Sequence, residues 1–185
     1  ISEHKHLWHR GFPLDRIENR SIKSKKDVYV KADVQADFWD NDPDIDCICR
    51  IMYQEKVKFK KKVYPFYSSK LSPFNTQNTF FHSKILEDYY LFPGVGRMHD
   101  IWASYYLQYS NKIKVVYNSP SVIQKRNIHT IKKDMHDEFI GLKKNNLFVT
   151  NMINNTFKLE DFFNKKSIKS FEVYKKHIKK INEKK

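Results

Sequence analysis

Glycine is scarce in this chain, four residues in 185, and there are only six prolines and two cysteines. With no Pro/Gly-rich stretch there is no flexible linker to divide the chain, and the absence of an internal repeat excludes a solenoid. Two cysteines cannot build a disulfide framework. Cys47 and Cys49 lie one residue apart in an apolar stretch, where strand geometry would point both to one face and strain a disulfide between them. A lone C-x-C also lacks the second ligand pair of a zinc site, so both are expected as buried free thiols. No apolar run approaches the ~20 residues that cross a bilayer, and no charged leader with a short apolar region resembles a signal peptide. The chain therefore reads as a soluble domain, for which Golgi and cytoplasmic placement are both open. It opens on Ile1 rather than Met, and is expected to be a piece of a longer protein with further segments upstream.

Acidic residues are also few, 21 against 35 Lys and Arg, a formal charge of +14. Hydrophobic residues at 40% and aromatics at 15% exclude disorder, and 14 Phe with 11 Tyr supply the bulk of a core. A charge of this sign favours anionic partners: nucleic acid, acidic lipid headgroups, or the phosphates of a nucleotide-linked substrate. The chain carries no RNP, zinc-finger or helix-turn-helix signature, which speaks against nucleic acid. Much of the excess sits at the end, where residues 158–185 hold 10 Lys and 4 acids, a composition that suits a solvated helix face. Lys58, Lys60, Lys61 and Lys62, interleaved with Val57, Phe59 and Val63, suggest an exposed strand whose lysines also guard its edge.

Hydrophobic periodicity divides the rest of the chain. Val28, Val30, Ala32 and Val34 alternate as a half-buried strand, and the run Ile45, Cys47, Ile48, Cys49, Ile51, Met52 indicates an element deep in the core. Residues 82–92 read as a short helix, followed by a loop through Pro93, Gly94 and Gly96. A second helix is predicted to start near Asp100 and to run through Ile101, Trp102, Ala103, Tyr105, Tyr106 and Leu107, apolar around most of its circumference and hence buried. Ile113, Val115 and Val116 form a short strand. Ile131, Met135, Phe139 and Leu142 fall on one face of an amphipathic helix, and Phe171, Tyr174, Ile178 and Ile181 repeat that spacing. Strands alternating with helices predict an α/β layer architecture, with one domain over residues 1–150 and a basic helical extension over residues 151–185.

Several segments could carry chemistry. Asp40, Asp42, Asp44 and Asp46 form three D-x-D spacings, which suit either a divalent cation beside a pyrophosphate or a turn and helix cap. Gly94-Val95-Gly96-Arg97 lacks the third glycine and the preceding strand of a dinucleotide fingerprint. Asp100, ahead of a buried helix, suits both an N-cap and a general base at a cleft mouth. His99 and His9 could act at neutral pH, or be ordinary surface or hydrogen-bonded histidines. Asn75, Thr76, Gln77, Asn78 and Thr79 lie between apolar flanks. Buried amides need partners, and a sugar's hydroxyls would serve, although a polar turn accounts for the run equally well.

Taken in order, His9-Arg10-Gly11-Phe12-Pro13-Leu14, Asp42-Pro43-Asp44-Ile45-Asp46 leading to Arg50, Pro73-Phe74-Asn75-Thr76-Gln77-Asn78-Thr79, Asp100-Ile101-Trp102 and Gln124-Lys125-Arg126-Asn127-Ile128-His129 resemble a family. They are similar to the STELLO-type glycosyltransferase domain and, more distantly, to the reversibly glycosylated polypeptides that include UDP-arabinopyranose mutase. The resemblance covers residues 9–145. It implies a GT-A-like mixed sheet flanked by helices, a nucleotide-diphosphate sugar donor, an unidentified acceptor and a divalent metal, Mn²⁺ or Mg²⁺. In that family the metal-binding Asp-x-Asp lies upstream of the Arg-Gly-aromatic-Pro block, so this chain looks like the acceptor-side half. The resemblance implies Asp100 as the group that orients or deprotonates the acceptor, and Arg10 and Arg16 as phosphate ligands. It implies Asn75, Gln77, Asn78 and Trp102 as substrate-binding residues. The mutase relatives show a His-Ser pair where this chain has Asn118-Ser119, so that histidine's role does not carry over directly; the metal ligands stay open, with His129 a candidate replacement. Two alternatives stand beside transfer to an acceptor: self-glycosylation at Arg10, which matches the arginine of covalent sugar attachment in the mutases, and a basic nucleic-acid-binding module.

Overall fold

The structure, a computed structural model, describes residues 4–19, 30–59, 65–68, 70–127 and 130–183. It is mixed α/β. Ten elements follow in chain order: β1 (Val34–Ala36), β2 (Trp39–Asn41), α1 (Cys47–Met52), β3 (Phe66–Tyr67), β4 (Thr79–Phe81), α2 (His99–Asn111), β5 (Val115–Tyr117), β6 (Val122–Gln124), α3 (Ile131–Ile153) and α4 (Lys165–Glu183). Short 3₁₀ turns at Leu14–Arg16, Ser83–Asp88, Gly96–Met98 and Leu159–Asp161 join them.

The strands form a four-stranded mixed sheet of order β3-β5-β1-β4 and a separate parallel pair β2-β6. In the larger sheet β1 runs parallel to β5 and antiparallel to β4, with Val34 opposite Val115 on one side and Phe81 on the other. Helix α2 holds the molecule together because it is apolar on two sides. Ala103 and Leu107 pack toward the sheet with Val34, Phe74 and Val115. Ile101, Trp102 and Tyr105 pack away from it with Phe92, Phe148, Val149, Met152, Phe162, Phe163 and Phe171. The second cluster is an aromatic stack: Trp102 lies face to face with Phe148 at 4.5 Å, and Phe92 with Phe163 at 3.9 Å. Phe171 of α4 belongs to it, and Tyr174 donates its hydroxyl to the Leu86 carbonyl at 2.8 Å. The helical end of the chain thus shares the core of residues before 150.

The sheet strand expected from Val28 starts only at Val34; Val30 and Ala32 are irregular, and Val28 lies outside the described residues. The apolar run from Ile45 is one and a half turns of helix, so its outer residues Ile51 and Met52 face solvent. Cys47 and Cys49 are both buried with no disulfide between them, as expected, although on a helix rather than a strand. Burial, with Glu138 beside it, pushes the Cys47 thiol up to about 12, an unreactive state. The helix read over residues 82–92 is a 3₁₀ turn ending at Asp88. Of the lysine strand, Val57 makes a lone bridge to Asn41 and residues 60–62 lie outside the described residues.

Helix α3 turns its other face inward. Ile131, Met135 and Phe139 are exposed, Phe139 by 64%, and Leu142 is half-buried, while Asp134, Glu138, Gly141 and Asn145 are buried. This first part of the buried stripe, which Phe148, Val149 and Met152 continue as core, is polar for a reason. Asp134 and Glu138 meet Arg97, and Glu138 accepts from the Cys47 backbone N–H at 2.7 Å. Asn145 joins the Trp102 indole to the Gly11 carbonyl. At Gly141 a side chain would come within 2.5 Å of the Met98 sulfur, so the 3₁₀ turn before α2 can lie directly on α3.

Candidate anion-binding site

Gly11 determines how the N-terminal segment reaches the centre of the molecule. Its φ of +78° suits glycine, and a Cβ there would stand 2.2 Å from Ile101 Cγ2. Its carbonyl accepts from the Tyr105 hydroxyl at 2.9 Å and from the Asn145 amide at 2.6 Å. With the backbone held so close to α2, Arg10 is carried inward. The chain there is tied to the loop before α1 by the Arg10 N–H on the Asp44 carbonyl, 2.8 Å, and by a bridge between His9 and Ile45.

Arg10 is buried and donates all five N–H groups. Nε and Nη2 grip Asp44 at 2.9 Å each, Nη1 and Nη2 grip Asp100 at 3.0 Å each, and Nη1 also donates to the Arg97 carbonyl. Burial opposes the charge, but Asp44 and Asp100 outweigh it and hold the guanidinium above its ordinary range. Asp44 is the hub. It also accepts from Arg126 Nη2 at 3.0 Å and from the Asn75 amide at 2.6 Å, and lies 3.9 Å from Arg97 Nη2. Burial works against its ionisation, yet Arg10 above all, then His9 and Arg126, keep Asp44 well below the usual carboxylate range.

These residues form one wall of a cavity of about 300 Å³, lined by Arg10, Asp44, Gln77, Arg97, His99 and the run Gln124, Lys125, Arg126, Asn127. Four cations face one carboxylate, while Asp100, Asp134 and Glu138 pair with Arg10 and Arg97 outside the lining. The Arg126 side chain is 8% exposed, and its buried Nε has no hydrogen-bond partner among the described residues. A buried guanidinium N–H without an acceptor is costly, and a water or an anion at this wall would satisfy it.

The residues singled out from the sequence divide three ways. Arg10 and Gln77 line the cavity. Asn75, Asn78 and Asp100 lie outside the lining and hold its wall. The Asn75 side-chain Oδ1 accepts from the Gln77 N–H at 3.0 Å, and the Asn78 side-chain amide donates to the Phe38 carbonyl and the Ser121 hydroxyl. Asp100 is not an N-cap: α2 begins at His99, and the Asp100 carboxylate, in the first turn, is committed to Arg10 and the Ile101 N–H. Arg16 and Trp102 stand elsewhere. Arg16 donates to the Thr150 hydroxyl at 3.1 Å, and Trp102 is a fully buried core residue bonded to Asn145. His129 lies outside the described residues. The lining residues not singled out are Asp44, Arg97, Gln124, Lys125, Arg126 and Asn127. Each stood in a quoted segment, but only the fold shows that three loops bring them together.

The acid-rich segment does not fit a hard divalent cation. Asp40 accepts from the Phe59 N–H, Asp42 faces Arg50 at 3.8 Å, Asp44 is ringed by arginines, and Asp46 caps α1 through the Cys49 N–H. The turn-and-cap reading accounts for Asp46. His99 differs from the other lining groups. Its Nδ1 lies 2.7 Å from the Gly96 carbonyl, which only accepts, so Nδ1 carries the proton and the neutral ring keeps its lone pair on Nε2. Compared with protein-family models and with curated proteins, the chain matches none.

Proposed function

We propose that the cavity takes the diphosphate of a nucleotide-sugar donor and that the chain is a GT-A-like glycosyltransferase domain, or the acceptor-side part of one. The observation that carries this is the unpaired, buried Nε of Arg126 on a wall shared with Arg10, Arg97 and Lys125. A phosphate oxygen supplies the missing acceptor, and the planar guanidinium suits paired contacts that an ammonium cannot make. Gln77, Gln124 and Asn127 offer amides to the hydroxyls of ribose and sugar. The sugar and its transfer come from the resemblance of the five blocks; the site's charge and its unpaired donor support the phosphate.

In this reading the bond between the anomeric carbon and the β-phosphate oxygen breaks as the acceptor oxygen bonds to that carbon. Arg126 and Lys125 balance the charge that grows on the departing diphosphate. Asp44 is too weak a base to take the acceptor's proton, and Asp100 has both oxygens engaged by Arg10. His99 Nε2 takes it instead. Asp100 becomes a positioning residue, fixing Arg10 and through it Asp44. The divalent metal of the resembled family would accompany the donor. Self-glycosylation at Arg10 would need a guanidinium nitrogen released from Asp44, Asp100 or the Arg97 carbonyl, so transfer to a separate acceptor is favoured. The test is His99→Asn assayed with UDP-sugars: turnover falls by about 10²-fold or more while UDP affinity holds. Undiminished turnover would remove His99 from the mechanism.

A further inference from the structure

A second group of side chains converges away from the cavity. His4 Nδ1 lies 2.9 Å from Glu55 Oε2 and His6 Nε2 lies 2.8 Å from Glu55 Oε1, and the three ligand atoms are all within 4.8 Å of one another. None of the three residues lines the cavity. We propose that His4, His6 and Glu55 bind a first-row transition-metal ion, Zn²⁺ foremost, with one coordination position left open. This does not depend on the glycosyltransferase reading.

Local structure holds the three groups together. The Leu7 N–H donates to the His4 carbonyl at 3.2 Å, so the chain turns between them and the H-x-H pair presents both rings to one carboxylate. Glu55 follows the end of α1, two residues after Tyr53, whose ring lies 4.7 Å from that of His6. The His4 and His6 rings meet edge to face at 6.1 Å. The side chains are partly exposed, 20%, 38% and 39%, which lets an ion enter and leaves a position for water.

The donor set selects the ion. In a tetrahedral zinc site with bonds of about 2.0–2.1 Å the ligand atoms stand ~3.3 Å apart, a spacing bracketed by the N···O contacts of 2.9 and 2.8 Å, one on each Glu55 oxygen, and by the 4.8 Å within which one ligand atom of each residue falls. Two imidazole nitrogens with one carboxylate favour Zn²⁺ over Mg²⁺, which prefers oxygen ligands. Without metal each ring directs an N–H at the carboxylate. On binding, a neutral ring moves that proton to its other nitrogen and gives the lone pair to the ion. The ion would clip the N-terminal segment to the end of α1. His9 and Arg10 follow His6 by three and four residues, and Asp44 and Asp46 lead into α1. The metal would thereby steady both chains that supply the Arg10–Asp44 pair.

The test is competition for Zn²⁺ against a chromophoric chelator, using the full chain without a polyhistidine tag. One equivalent of Zn²⁺ per chain is expected, excess Mg²⁺ should not displace it, and Co²⁺ in its place should give the visible absorption of four-coordination. His4→Gln, His6→Gln and Glu55→Gln should each weaken zinc binding by about tenfold or more. Absence of bound zinc, or full stoichiometry in the His4→Gln/His6→Gln double variant, would overturn the proposal. A second readout needs no variant. Zn²⁺ should protect His4 and His6 from diethylpyrocarbonate, located by mass spectrometry, and equal modification with and without Zn²⁺ would also overturn it.

Discussion

Arg10 spends all five of its N–H groups inside the protein, and that determines what a substitution there does. Arg10→Lys leaves Asp44 and Asp100 buried with fewer donors, so we expect a loss of about 3–5 kcal/mol in chemical denaturation. Asp100→Asn breaks the other side of the same pair. It should lower stability measurably, whereas a free catalytic base would lose turnover with the melting temperature unchanged. The Arg10-Gly11 dipeptide was visible in the sequence, but the partners of Arg10 were not, because Asp44 and Asp100 lie 34 and 90 residues away. His9 gives a pH test. Partial burial lowers its pKa below 6.5, with Asp44 pulling the other way. The unfolded chain therefore binds the proton more readily, so this contribution to stability is full above the unfolded value and falls as pH drops below about 6.5. Denaturation midpoints of His9→Gln should show a shallower loss between pH 6.5 and 5 than the parent protein. Asp44, held low, works in the opposite range: its contribution persists through mild acid and fades only below the ordinary carboxylate value near 4.

Helix α2 was legible as an element because its apolar residues encircle it, and burial is then the only outcome. Helix α3 was legible in its existence and reversed in its facing. Periodicity alone favours the stripe Ile131, Met135, Phe139 as the inner one, since it contains no charge. The inward stripe wins because Arg97 and the first N–H of α1 sit opposite and need Asp134 and Glu138, and because Gly141 alone admits Met98. Phe139→Gln should therefore change stability by no more than about 0.5 kcal/mol. Asn145→Ala, which strips partners from the Trp102 indole and the Gly11 carbonyl, should cost about 1–3 kcal/mol. Comparable losses in the two variants would mean that α3 is turned the other way. The strand β1 was misplaced by its start because alternation continues through Val30 and Ala32, while its partners β4 and β5 reach only Val34.

Across the whole molecule, a formal charge of +14 favours anionic partners without saying where they would bind. The fold gathers Arg10, Arg97, Lys125 and Arg126 at one place, with Asp44, Asp100, Asp134 and Glu138 against them. Loops from four regions of the chain, around residues 10, 44, 97 and 126, meet where a single carboxylate is shared among three arginines. The acid-rich and Gln124–Asn127 segments lie far apart in the chain, and their spacing does not reveal that Asp44 and Arg126 meet on one wall. The central claim is that this wall binds a diphosphate. Isothermal titration of the full chain with UDP and UDP-sugars, beside Arg126→Gln and the remote control Arg16→Gln, tests it most directly. The account predicts saturable binding that weakens with salt, falls about tenfold or more in Arg126→Gln and is unchanged in Arg16→Gln. Absence of binding to UDP and UDP-sugars, or equal affinity in Arg126→Gln, would contradict it.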